Sequence, residues 1–252
     1  RMGTEDYAAM TAEQLLAKKL ERFQNLNHYR RDNELHWLGR ARVSEECGDY
    51  AAAVRFCSKG ISRAPRNGQM YAERARLSLL LGEYGEAAAD CARACEFYPQ
   101  DYMPRYLSGL VHYLRGEYPR AEQHFRCALD AVPGASARVQ TGYWLWACML
   151  KQNKPSEAAA AARTCLPAVP EELTHSGVVY AAALEAAQKC FLPDGPLKRE
   201  ESVVLSAYGA YLFCRYVSED TVQAAARLED MLSLGLDGAP STPVFRAVLT
   251  EK

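Results

Sequence analysis

Between Glu34 and Ala135 the apolar residues recur at spacings of three and four. That is the period of a helix face, not the alternation of a half-buried strand. From Glu34 to Cys47 the apolar positions are Leu35, Trp37, Leu38, Ala41 and Val43, with no proline among them. From Tyr50 to Ala64 they are Val54, Phe56, Cys57 and Ile61. The two runs are joined by Gly48-Asp49-Tyr50. Glycine tolerates the left-handed conformation that closes a helix. The acid after it is expected in the first turn of the next helix, where the dipole favours negative charge. Pro65 ends the second run, because proline cannot continue a helix. The pattern predicts two antiparallel helices and a tight turn.

The same unit is written three times without a gap. Gly82-Glu83-Tyr84 and Gly116-Glu117-Tyr118 follow the first tripeptide at steps of 34 residues. Ala53, Ala87 and Ala121 keep the same phase, as do Pro65, Pro99 and Pro133, and Ala41, Ala75 and Gly109. Small side chains at those points let paired helices approach closely. One pair cannot bury its apolar face alone, so neighbouring pairs must stack. A period of this length means stacked supersecondary units.

These residues resemble the tetratricopeptide repeat, whose pattern is Trp-x2-Leu-Gly-x2-Tyr, then Ala-x3-Phe, then Pro, over 34 residues. The first unit supplies Trp37, Ala41, Ala53-x3-Cys57 and Pro65; the second Tyr71, Ala75, Ala87-x3-Cys91 and Pro99; the third Gly109, Ala121-x3-Phe125 and Pro133. Arg40, Arg74 and Ser108 stand where the family prefers Leu, and Arg105 takes the Trp slot. The resemblance implies an all-α fold, a right-handed superhelical solenoid of helix-turn-helix repeats. It implies protein partners, no cofactor and no catalysis. Relatives that bind the acidic tails of heat-shock chaperones use Lys and Asn on the first repeat, Asn on the second, and Lys and Arg on the third. The matching positions here are Leu38 and Arg42, Glu73, and Met103 and Leu107. One cation survives and Glu73 repels a carboxylate, so a co-chaperone-like tail binder is disfavoured.

Around the three regular units, 34–135, the chain divides into an N-terminal tail and capping helix (1–33), a divergent fourth repeat (136–172) and a C-terminal helical extension (173–252). Thr11 and Gln14 form a predicted capping box, with Met10 and Leu15 as its hydrophobic staple. Leu15, Leu16, Leu20, Phe23 and Leu26 continue an apolar stripe. Past Pro133 the next unit-ending proline, Pro170, comes 37 residues later, the extra three fitting at Ser136-Ala137-Arg138. Val139 to Lys151 and Ser156 to Leu166 read as the fourth pair, with Ala158 in the small slot. Helices are expected over Thr174 to Cys190 and Lys198 to Tyr216, with a turn at Pro193 to Pro196 between them. Ser218 is expected to cap another helix running to Leu234. Ala224-x3-Leu228 echoes the repeat, so 205–238 is a candidate fifth unit. Thr242-Pro243 starts a short last helix.

Composition changes this little. Hydrophobic residues are 49%, charged residues 24% and the net charge is −1. No global field draws the chain to nucleic acid or anionic lipid. No apolar run reaches the length of a membrane span. Nine cysteines without a Cys-x2-Cys pair read as packed, reduced thiols of a reducing compartment, cytoplasmic or nuclear. Cys91, Cys95, His124 and Cys127 are the closest approach to a zinc set. No nucleophile elbow, phosphate loop or dinucleotide fingerprint appears.

Helical phase places Leu38, Gly39, Arg42 and Glu45 of the first unit on one inward face, followed by Ala72, Glu73, Arg76 and Leu79 of the second. Tyr106, Leu107, Leu110 and Tyr113 follow from the third, and Tyr143, Trp144, Ala147 and Leu150 from the fourth. The candidate partner groove is Arg42, Arg76, Leu79, Tyr106, Leu107, Leu110, Tyr113, Tyr143 and Trp144: charged at one end, aromatic at the other. Its expected ligand is an amphipathic helix or apolar peptide of a protein partner. The alternative is a groove filled by the chain's own C-terminal helices, the chain then serving as a structural subunit of a larger, RNA-associated assembly.

Overall fold

The computed structural model describes residues 34–166, 173–188, 200–236 and 242–251, together with Thr11, Gln14, Ala17, Lys18 and Glu21. The described helices fall into two compact units that part between Pro99 and Gln100. That junction is the end of the second repeat.

The first unit contains α1 (Glu34–Glu46), α2 (Tyr50–Arg63), α3 (Gly68–Leu81) and α4 (Tyr84–Phe97). α1 pairs with α2, α3 with α4, and α2 packs on α3. Ala41, Ala53, Cys57 and Leu77 form the buried centre. Arg74, in a slot where the resemblance expects Leu, is held there by charge. Its Nε and Nη2 donate to the two oxygens of buried Asp90 at 2.7 Å each, and Nη1 donates to Ser58 Oγ at 2.9 Å. One side chain thus ties α2, α3 and α4 together. Asp49 is the N-cap of α2 and accepts from the Ala52 amide at 2.8 Å. The acids of the tripeptides therefore stand at the cap itself, one position before the helical turn expected for them.

The second unit contains α5 (Tyr102–Leu114), α6 (Tyr118–Leu129), α7 (Ala135–Lys151), α8 (Pro155–Cys165), α9 (His175–Gln188), α10 (Glu201–Tyr216), α11 (Thr221–Leu232) and α12 (Pro243–Leu249). α5 pairs with α6 and α7 with α8. α9 lies on α7 and α10, while α12 reaches α10, α11 and α5. α7 begins at Ala135, four residues before the expected Val139, because the three inserted residues are wound into an added turn at its start. α11 is capped by Asp220, which accepts from the Gln223 amide at 2.9 Å, rather than by Ser218, whose hydroxyl donates to the Cys214 carbonyl.

One device closes the first helix of each repeat. Gly48, Gly82 and Gly116 have φ of 77°, 82° and 75°. In each case the glycine amide and the next amide donate back to the helix end, as Gly82 to Leu79 and Glu83 to Ser78 do. This is the Schellman arrangement that consumes free terminal carbonyls. Asn153 performs the same turn with φ 58° and bonds to Leu150. Glu219 takes φ 55° before α11. Five residues after each of these positions stands a buried alanine: Ala53, Ala87, Ala121, Ala158 and Ala224. The close approaches are real: a Cβ on Gly109 would stand 2.5 Å from the Phe125 ring, and one on Gly142 2.3 Å from Cys165 Cβ.

The capping box at Thr11 forms, the Thr11 amide donating to Gln14 Oε1 at 2.9 Å and the Gln14 amide to Thr11 Oγ1 at 3.3 Å. Its staple, the apolar stripe after it and the turn at Pro193 to Pro196 lie outside the described residues.

Candidate functional site

The aromatic half of the expected groove belongs to the core of the second unit. Tyr106, Leu107, Leu110, Tyr113, Tyr143 and Trp144 are all buried. Tyr113, Tyr143 and Trp144 are covered by the chain's own extension. The Tyr113 hydroxyl meets that of Tyr208 on α10 at 2.7 Å, and the Tyr143 hydroxyl donates to the Leu205 carbonyl at 2.7 Å. Trp144 Nε1 donates to the Tyr180 hydroxyl of α9 at 3.4 Å. The rings of Tyr143 and Tyr180 meet edge to face at 5.5 Å. Tyr106 instead stacks on Tyr102 and meets the tilted ring of Phe125 within its own repeat. This corrects the expectation of a partner lying along these residues: α9 and α10 supply the apolar surface that an amphipathic peptide was expected to supply.

Behind this layer is a buried polar centre. Lys151, the last residue of α7, pairs with Glu251 in the turn after α12, and each side chain is 7% exposed. The Glu251 carboxylate also accepts from Tyr208 at 2.9 Å and from Tyr211 at 2.8 Å. The Lys151 ammonium lies 5.8 Å from the centre of the Tyr118 ring and 5.7 Å from that of Tyr216, within cation–π range. Burial first, and the adjacent Glu251 charge second, push the Tyr211 hydroxyl well above its ordinary range. It therefore stays protonated and can only donate to the carboxylate. Neither Lys151 nor Glu251 was legible as a site residue. Each is a single charge at a helix end, and only the fold brings them together.

The charged half of the expected groove belongs to the first unit. Leu79 is buried. Arg42 is exposed on α1. Arg76 on α3 is fixed by two carboxylates. Nη1 donates to Glu45 Oε1 at 2.7 Å, and Nη2 to Glu45 Oε2 at 2.5 Å and Glu73 Oε1 at 2.8 Å. Nε reaches Glu73 Oε2 at 3.4 Å. Burial alone would lower the pKa of Arg76, but these bonds outweigh it and raise it. Arg76 is therefore not a free cation. The Glu45–Arg76–Glu73 cluster carries one excess negative charge and remains about a quarter exposed.

The described residues contain no group of three His, Cys, Asp or Glu side chains that could hold a metal. The described cysteines are free thiols. Burial pushes Cys57 and Cys148 up to about 12, which suppresses the nucleophilic thiolate. His124 stacks on His112 at 5.0 Å with nearly parallel rings. No described helix is long and apolar enough to cross a membrane.

Stacked helix hairpins, left-handed closures in phase and buried alanines define an all-α solenoid with the tetratricopeptide-repeat fold. Solved structures agree. The chain is similar to the crystal structure of MamA, with 14% identity, 66% of this chain and 94% of that one covered, and a TM-score of 0.53. It is also similar to the C-terminal part of a TPR repeat-containing protein from Cytophaga hutchinsonii, with 16% identity, 90% and 95% covered, and a TM-score of 0.50. At such identities the likeness is one of fold. No protein-family model matches the sequence, and no curated protein does.

Proposed function

We propose that the chain is a non-enzymatic protein–protein interaction scaffold whose first unit carries the docking surface, the second unit acting as a self-closed brace. The observation that carries this is the partly exposed Glu45–Arg76–Glu73 cluster, which links α1 to α3, with exposed Arg42 on α1. Four of the five guanidinium donors of Arg76 are already used. A partner therefore meets a rigid, pre-organised array rather than a flexible cation, which lowers the ordering cost of binding. The excess carboxylate favours a basic side chain over the cluster, and Arg42 an acidic one beside it. The fitting partner is a polar peptide segment carrying both signs. This replaces the apolar ligand expected from the sequence, because the apolar face is occupied from within. Free, largely buried thiols suit a reducing compartment, cytoplasmic or nuclear.

The test is a pull-down with mass spectrometry on the full chain, wild type against Arg42→Glu, with Arg93→Glu on α4 as the control. Arg42→Glu should keep its melting temperature and lose a set of partners that Arg93→Glu retains. Recovery of those partners should fall as salt rises, since exposed charges are screened within about 10 Å at 0.1 M. A folded Arg42→Glu chain that keeps every wild-type partner moves the docking surface elsewhere.

A further inference from the structure

The centre around Lys151 has the composition of a carboxylate receptor. One ammonium and two tyrosine hydroxyls converge on a single carboxylate, and the Tyr118 and Tyr216 rings frame the cation. Every receptor group comes from α6, α7 or α10. The carboxylate alone comes from the segment that follows α11. That segment reads as a bound ligand. Val244, Phe245, Ala247 and Val248 are buried on one face, and Glu251 follows one turn after Ala247 and Val248. α12 has seven residues, well short of the length at which an isolated helix holds itself together. Its N-cap Thr242 makes no side-chain cap bond, and its hydroxyl is buried without a partner. The helix is held by its seat and not by itself.

We propose that this seat on the second unit is a second binding site, and that residues 242–251 are its resident, displaceable occupant. The partner it takes is a short amphipathic helix of another protein, with two apolar pairs one turn apart and an acid one turn beyond. The resident segment competes with that partner and lowers its apparent affinity by the fraction of time the seat is open. The proposal does not depend on the docking surface of the first unit.

The probe is a fluorescein-labelled peptide of the 242–251 sequence, read by anisotropy against the full chain. In a Val248→Asp chain the resident helix loses its apolar hold, and the peptide should bind at least tenfold more tightly than to wild type. A peptide carrying Glu251→Gln should bind at least tenfold more weakly than the parent. In the unmodified chain, α12 amides should exchange hydrogen at least a hundredfold faster than those of α10, the mark of local opening. Equal protection of α12 and α10 overturns the proposal, because the segment is then fixed core. So does a Val248→Asp chain that loses its cooperative melt, or one that stays folded without tighter peptide binding. Concentration-dependent dimerisation of the Val248→Asp chain in place of peptide binding would assign the seat to a second copy of this chain and overturn the partner reading.

Discussion

Leu110→Glu separates a covered face from an open one. Leu110 is 1% exposed, in the middle of α5. Removing a buried leucine forfeits about 1.5–3 kcal/mol of apolar burial. A glutamate there cannot stay charged without a partner, so it binds a proton. Taking that proton up at pH 7, from an ordinary value of about 4.3 at about 1.36 kcal/mol per unit, costs roughly 3.7 kcal/mol. Burying the neutral carboxyl without a hydrogen-bond partner adds about 1–3 kcal/mol. The total, roughly 6–10 kcal/mol, matches the whole stability of a typical domain. Urea unfolding followed by circular dichroism should therefore find the second unit unfolded, or nearly so, at pH 7. Leu110→Met, which conserves volume, should cost under about 1.5 kcal/mol. The penalty also has a pH signature. Between about 4.3 and the raised folded value the native state holds a proton that the unfolded state lacks, so stability falls as pH rises. The variant should regain stability toward pH 4.5, by about 1.4 kcal/mol per unit, relative to wild type. A Leu110→Glu chain within about 1 kcal/mol of wild type at pH 7 would refute self-coverage and reopen this face to a partner.

Three further outcomes follow from local geometry. Gly109→Ala, whose Cβ would meet Phe125 at 2.5 Å, and Ala87→Leu at a fully buried slot should each cost roughly 1–3 kcal/mol by overpacking; thermal melts at the wild-type midpoint would contradict the packing register. Glu219→Gly should raise stability by about 0.5–1 kcal/mol, because its φ of 55° strains a side chain that glycine lacks; a lower midpoint for the glycine variant contradicts it. Burial, then the neighbouring His112 and Arg120, lower the pKa of His124 below its ordinary 6.5. The unfolded chain therefore binds that proton more readily, and this contribution to stability is lost as pH falls below about 6.5. The fall between pH 7.5 and 5.5 should be smaller in His124→Gln, and an unchanged slope in denaturant titrations rules the residue out.

The repeat was legible because its signals are local and each has one physical cause. A glycine at a left-handed closure, an alanine five residues on and a proline at the end all act within a single hairpin, and three copies reinforce one another. The same logic explains where the reading slipped. Asn153 makes the same left-handed closure as the glycines and Glu219 takes the same sign of φ, but neither residue signals that conformation strongly in sequence. Asp220 rather than Ser218 caps α11 because Glu219 takes the left-handed step that starts the helix after it. Arg74 departs from the repeat pattern only until Asp90 and Ser58 are seen beside it; both lie 16 residues away in sequence, beyond any helical phase.

The groove is the instructive case. Helical phase puts Tyr106, Leu110, Tyr113 and Trp144 on apolar faces, and an apolar face must be covered. Phase carries no information about what covers it. That is decided by Tyr180, Leu205 and Tyr208, which lie 36 to 95 residues from the groove residues they touch and repeat no pattern. The charged end was misread for a related reason. Helical phase puts Arg76 and Glu45 on inward faces but does not pair them, because they stand 31 residues apart. A solenoid reads well along its repeat and poorly across it. The contacts it misses are those where one repeat meets another, or where the extension folds back. The seat at Lys151 follows from the same point: its two charges are separated by 100 residues, and only the fold makes them one site.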